Sequence, residues 1–155
     1  MEQIKQDEYY MKLAIEEAKK AFELDETPIG AVIVYKDKVI GKACNKRNTD
    51  KNALAHAEIL AIDEACKSIG DWRLEECTIY ITLEPCPMCA GAIVQARIPR
   101  VIFGASSPKA GFGGSVFNVL ELESLNHRCE VIRGICEEES SELLKEYFKQ
   151  MRLKK

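Results

Sequence analysis

Residues 78–96 read TIYITLEPCPMCAGAIVQA, and the way this stretch divides decides the fold. Thr78 to Leu83 is a short β-rich run with the length and composition of a buried strand. Pro85 to Ala96 follows at once, and its small and aliphatic residues predict a helix that starts abruptly at the strand's end. The stretch is therefore a strand–helix step. Upstream, Ala55 to Ser68 predicts a helix stopped by Gly70. Residues 45–52 are polar and loop-like. Ile29 to Tyr35 and Val39 to Cys44 are β-rich runs joined by Lys36-Asp37-Lys38, which predicts a hairpin.

Residues 8–24 place Met11, Ala14, Ile15, Ala18 and Phe22 at helical spacing, and Thr27-Pro28 ends that helix. Met1 to Asp7 is polar and precedes it. Downstream, Val101 to Gly104 reads as a strand, Ser106 to Ser115 as a Gly-rich loop, and Glu130 to Arg133 as an edge strand. Residues 137–152 form an amphipathic helix with Leu143, Leu144, Tyr147, Phe148 and Met151 on one side. Glu137, Glu138 and Glu139 suit its N-terminus, where carboxylates complement the helix dipole. The order α-β-β-α-β-α-β-β-α predicts a three-layer α/β/α domain around a mixed sheet of about five strands.

The 155 residues are one domain's worth of chain, so residues 1–155 are expected to be a single domain. No apolar run approaches the roughly 20 residues needed to span a bilayer. The polar start is not a signal peptide, and a cytoplasmic location is expected. Seven cysteines, an odd count, argue against a disulfide framework and for reduced thiols. A net charge of −3 weighs against a sequence-blind nucleic-acid binder, without excluding a local basic patch.

Two short segments carry chemistry: His56-Ala57-Glu58 and Pro85-Cys86-Pro87-Met88-Cys89. Each falls where a helix is expected to begin. Cys86 and Cys89, three apart, share a helix face. Pro87 is tolerated in a first turn, where its missing N–H would be unbonded anyway. A helix N-terminus also favours thiolate, the metal-binding form. With His56 as a third ligand, one tetrahedral position stays open, as in catalytic zinc sites. Zinc with two thiolates and a neutral imidazole is a net-neutral centre that needs a nearby base, and Glu58 is the candidate. Mid-helix, residues two apart diverge by about 200°, so His56 and Glu58 converge only at a first turn.

A lone C-x-x-C is also compatible with redox or structural zinc, and a closed site would take His127 or Cys44 as a fourth ligand. H-x-E paired with P-C-x-x-C resembles the signature of zinc nucleobase deaminases.

The chain resembles the bacterial tRNA-specific adenosine deaminase family, of the cytidine/deoxycytidylate deaminase-like superfamily. The resemblance runs through Pro28 to Val32, Asn45, Ala55 to Glu58, Trp72 to Leu74, Thr82 to Ala92, Asn126 to Arg128 and the C-terminal helix. It implies a cytidine deaminase-like fold and hydrolysis of adenosine to inosine at the wobble position of a tRNA anticodon. It further implies one Zn2+ per subunit to activate the water, a homodimer, and an anticodon stem-loop touched by both subunits. Asn45 and the Ala57 backbone N–H would bind the base edge, and Ile29 would wall the pocket. Lys109, Phe148, Lys149 and Arg152 lie where the family touches RNA. Phe148 has a plainer reading as core, and Lys149 and Arg152 as a solvated face. The family usually carries Asp where Ser107 stands; Ser can also donate and accept a hydrogen bond.

Two other functions share parts of this pattern. A zinc-dependent deaminase of a free nucleobase or nucleoside, of guanine or cytosine type, would keep the metal residues and the fold. A non-catalytic zinc-stabilised RNA-binding module would keep the metal and gain nothing from Glu58.

Overall fold

The computed structural model describes residues 2–154. Its elements are α1 (Glu2–Glu23), β1 (Gly30–Tyr35), β2 (Lys38–Cys44), α2 (Ala57–Ile69), β3 (Cys77–Leu83), α3 (Pro87–Gln95), β4 (Arg100–Ala105), β5 (Glu130–Arg133) and α4 (Glu137–Leu153). The order is the expected one. Five strands form one sheet in the order β2-β1-β3-β4-β5. β1 is antiparallel to both neighbours, while β3, β4 and β5 run parallel. The sheet is therefore mixed, with β5 at an edge.

Strand alternation builds the two helical layers. Val32, Val34, Tyr80 and Ile102 point to one face and pack with Tyr10, Met11, Ala14 and Ile15 of α1. Ala31, Ile33, Ile79, Ile81, Val101 and Phe103 point to the other and pack with Ala57, Ala61, Ala65, Ala90 and Ile93 of α2 and α3. The central strands are buried on both faces, which is why β1, β3 and β4 read as near-continuous apolar runs.

The boundaries differ where local pattern was silent. α1 starts at Glu2, six residues before the expected start at 8. Its polar first turns are held by tertiary contacts: Asp7 is 2% exposed and accepts hydrogen bonds from Arg100 and Tyr80. The hairpin turn is two residues, Lys36 and Asp37, both at positive φ (47° and 62°). That geometry matches the twist of the flanking strands. Gly70, at φ 77°, closes α2 in the left-handed conformation. The core reading of Phe148 does not hold: it is 47% exposed, and Tyr147 beside it is buried. Among the described residues no helix is long and apolar enough to cross a membrane.

Candidate active site

β3 runs parallel to β4 with α3 between them, so its C-terminal end meets the start of α3 at one edge of the domain. His56 is the N-cap of α2 and Cys86 the N-cap of α3, both in extended backbone. Pro87 follows Cys86 in the first turn of α3. His56 Nδ1 lies 3.7 Å from Cys86 Sγ and 3.5 Å from Cys89 Sγ. The three ligand atoms fall within 4.8 Å of one another. Two helix starts thus bring together three residues from two parts of the chain.

The donor chemistry fits zinc: two sulfurs and an imidazole nitrogen, converging at the spacing a single ion needs. Among the described residues no fourth donor joins the group. His127 is engaged elsewhere, its Nε2 lying 2.8 Å from the Ile98 carbonyl oxygen. Cys44 is buried at the end of β2, where burial pushes its thiol up. The closed structural site is therefore not built here. The thiols behave as a pair. Hydrogen bonding from Cys89 draws Cys86 down to about 5 against burial, helped by the Cys89 and Met88 N–H groups of the helix start. The same bond, with burial, pushes Cys89 well up.

Glu58 lies in the first turn of α2 and is 4% exposed. Burial, reinforced by the Cys86 charge, pushes its carboxyl up to about 7 against the pull of its own backbone N–H. A carboxyl near neutrality can take up and release a proton within one reaction cycle.

A cavity of about 140 Å³ opens beside Glu58, lined by Thr27, Ile29, Asn45, Arg47, His56, Ala57 and Glu58. Asn45 is 6% exposed and fixed from three sides. Its Nδ2 donates to the Thr27 carbonyl (3.3 Å), its backbone N–H donates to the Ile29 carbonyl (3.0 Å), and its Oδ1 accepts from the Arg47 N–H (3.2 Å). The cavity thus gathers Ile29, Asn45, Ala57 and Glu58, all expected from the sequence. Thr27 and Arg47 were not expected. Their only sequence signal is that they neighbour Ile29 and Asn45. A larger groove of about 640 Å³ runs between α1 and α4 on the other side of the sheet. Among the described residues it contains no metal-ligating cluster.

The remaining expected RNA-facing residues do not line the cavity. Ser107 and Lys109 stand on the 106–115 loop, and Phe148, Lys149 and Arg152 on α4. That loop is wrapped around Glu84, a residue of the Thr82 to Ala92 block whose role no local pattern reveals. The Glu84 carboxylate, 3% exposed, accepts from the backbone N–H groups of Ser107, Gly113 and Ser115, each at 2.9 Å, and from the Ser115 hydroxyl. A Cβ on Gly111 would stand 2.3 Å from Glu84, so glycine is required there for close approach.

The MafB19-like deaminase family matches residues 5–152. A tRNA-specific adenosine deaminase of Bacillus subtilis (strain 168) is 54% identical over 150 residues, covering 97% of this chain and 93% of that protein. The chain belongs to the tRNA-specific adenosine deaminase family, among the MafB19-like deaminases. A second family member, from Aquifex aeolicus (strain VF5), is 49% identical over 145 residues, covering 94% of this chain and 95% of that one. A solved structure from work on A-to-I editing by tRNA:A34 deaminases at the wobble position of transfer RNA aligns with a TM-score of 0.84 at 42% identity. It covers 87% of this chain and 98% of the other. The fold extends beyond the family: a guanine deaminase from Nitrosomonas europaea aligns at TM-score 0.77, 23% identity, covering 90% of this chain and 83% of its own.

Proposed function

We propose that the chain hydrolyses adenosine to inosine at the wobble position of a tRNA anticodon. One observation carries the chemistry: Glu58, buried at the first turn of α2, shares a small cavity with His56, the N-cap that converges on Cys86 and Cys89. The substrate is supported by the near-full-length relatives named for it.

His56, Cys86 and Cys89 would hold one Zn2+ per chain. Zinc, when bound, supplies the Lewis acidity that makes a water nucleophilic at neutral pH. The chain's own residues do the rest. An unpaired loop base enters the cavity at little unstacking cost. Ile29 packs against the base, and Asn45 with the Ala57 N–H holds its edge. Glu58 takes one proton from the attacking water and passes it to ring N1. It then moves the second water proton to the departing amine at C6. Ammonia leaves, C6 keeps the oxygen, and Glu58 returns to its starting state.

Ser107, Lys109, Phe148, Lys149 and Arg152 are assigned to the RNA backbone and flanking bases, outside the base cavity. Their exposure or half-exposure accords with that. Residues 1–155 act as a single domain, paired as a homodimer, in the cytoplasm where tRNA is found. Sedimentation of the purified chain tests the dimer; a monomer at micromolar concentration would contradict it. The test of function is incubation of zinc-loaded protein with an anticodon stem-loop and, separately, with free guanine, cytosine and adenosine. Inosine in the stem-loop is expected. Ammonia from the free bases alone would favour a free-base deaminase, and no turnover on any substrate a non-catalytic zinc module.

A further inference from the structure

Glu26 lies in the turn after α1, one residue before Thr27 and three before Ile29 of the pocket wall. Its side chain is wholly buried, at 0% exposure. A buried carboxylate is costly unless hydrogen bonds replace its water. Here the replacements are backbone groups of a distant loop: Oε1 accepts the Asn48 N–H at 3.1 Å, and Oε2 accepts the Thr49 N–H. Against burial, the Thr49 side chain, these two backbone N–H groups and the Arg47 charge together hold the carboxyl below its ordinary range.

The loop so captured is residues 46–52. It is closed on itself by Asp50 N–H to Lys46 O (2.8 Å) and Asn52 N–H to Arg47 O (3.0 Å), and tied to the start of α2 by Lys46 N–H to Ala55 O (2.9 Å). Arg47 to Asn52 are all exposed, so the loop adds nothing to the core. Lys51 adopts φ 50°, a conformation that a non-glycine residue keeps only when its surroundings impose it. Asn45 and Arg47, at the loop's near end, both line the cavity. Glu26 thus sets a buried charge against an exposed loop, and Arg47 of that loop forms part of the pocket wall next to Asn45.

We infer that Glu26 is a positioning residue: by capturing the Asn48 and Thr49 N–H groups it fixes loop 46–52 so that Asn45 and Arg47 form the wall, and thereby sets substrate affinity. The affinity half rests on the deaminase function proposed above. The loop half does not.

The test compares wild type with Glu26→Gln, which keeps the shape but turns an NH2 toward one of the two N–H groups. Four quantities are measured: zinc per chain by elemental analysis, amide exchange at Asn48 and Thr49, and kcat and KM on an anticodon stem-loop RNA. Zinc is expected to stay near one per chain and both amides to exchange faster. KM should rise about tenfold while kcat falls by less than about threefold. Faster exchange with unchanged KM overturns the inference, as does unchanged exchange. A fall in kcat at constant KM also overturns it, and so does loss of zinc, which would make Glu26 a support of the metal ligands. Where Glu26→Gln does not fold, Glu26→Asp, which keeps the charge but withdraws it by one methylene, is read by the same criteria. Absence of turnover by the wild type sinks the deaminase function instead, and the exchange data with stem-loop binding affinity then decide the loop.

Discussion

Glu58 and the three metal donors play different parts in one small volume, so their substitutions should separate. Glu58→Ala removes the proton carrier and leaves the donors intact. It is expected to retain about one zinc per chain and to lose turnover by about 10²–10⁴-fold, measured by inosine formation. Wild-type turnover in that variant would reject the assignment. His56→Ala and Cys86→Ser each take away a donor held at helix starts, and elemental analysis should find well under one zinc per chain in both. Full zinc in both would reject the ligand set. These four residues were legible in the sequence because each segment is short and its spacing decides its geometry. Thr27 and Arg47 were not, because Thr27 is met by Asn45 from 18 positions away and Arg47 stands on the loop whose Asn48 and Thr49 N–H groups Glu26 holds. Glu84 and Glu26 were missed for the same reason: their hydrogen-bond partners lie 22 to 31 residues away along the chain. A buried acid and an exposed acid look alike in a sequence.

At the scale of elements, the first helix shows both what periodicity reveals and what it hides. Met11, Ala14, Ile15 and Ala18 announce the helix, yet its first turns are polar and depend on Asp7 meeting Arg100 across 93 positions (2.7 and 2.9 Å). Burial would raise the Asp7 carboxyl, but the Arg100 and Tyr80 bonds win and hold it below its ordinary value of 3.8. A carboxyl whose folded value is depressed stabilises the fold above its unfolded value and loses that contribution as pH falls through the folded one. Wild-type stability from Asp7 is therefore present above about pH 4 and lost below it. Asp7→Asn removes the buried carboxylate from Arg100, which is only 18% exposed and keeps Glu130 as its remaining carboxylate partner, and should cost about 3 kcal/mol at neutral pH. Its stability should also fall less than wild type's between pH 5 and 2, read from urea melts across that range. Equal slopes would show that the pair does not carry this linkage. The same helix presses on β1 at Gly30, where a Cβ would stand 2.0 Å from the Ala14 carbonyl oxygen and 2.6 Å from the Ala18 nitrogen. Gly30→Ala must move α1 off the sheet, and should destabilise by about 3 kcal/mol in a urea melt. A loss near zero would mean that α1 is not seated as described.

For the whole molecule, the strand–helix step at 78–96 and the element order around it were enough to expect three layers, because strands buried on both faces need a helical layer on each. The sheet order and the antiparallel β1 add what one-dimensional patterns cannot: both helix starts that carry metal donors reach one site, beside a loop that supplies the pocket wall. The domain thus brings a metal-ligating cluster, a buried carboxyl near neutrality and a base-sized cavity to one place. The most direct measurement is to mix zinc-loaded protein with an anticodon stem-loop bearing adenosine at the wobble position, and to digest the RNA and quantify its nucleosides. Inosine replacing that adenosine in wild type, and not in zinc-replete Glu58→Ala, is the predicted result. Adenosine left unchanged by the zinc-replete wild-type protein would contradict the account.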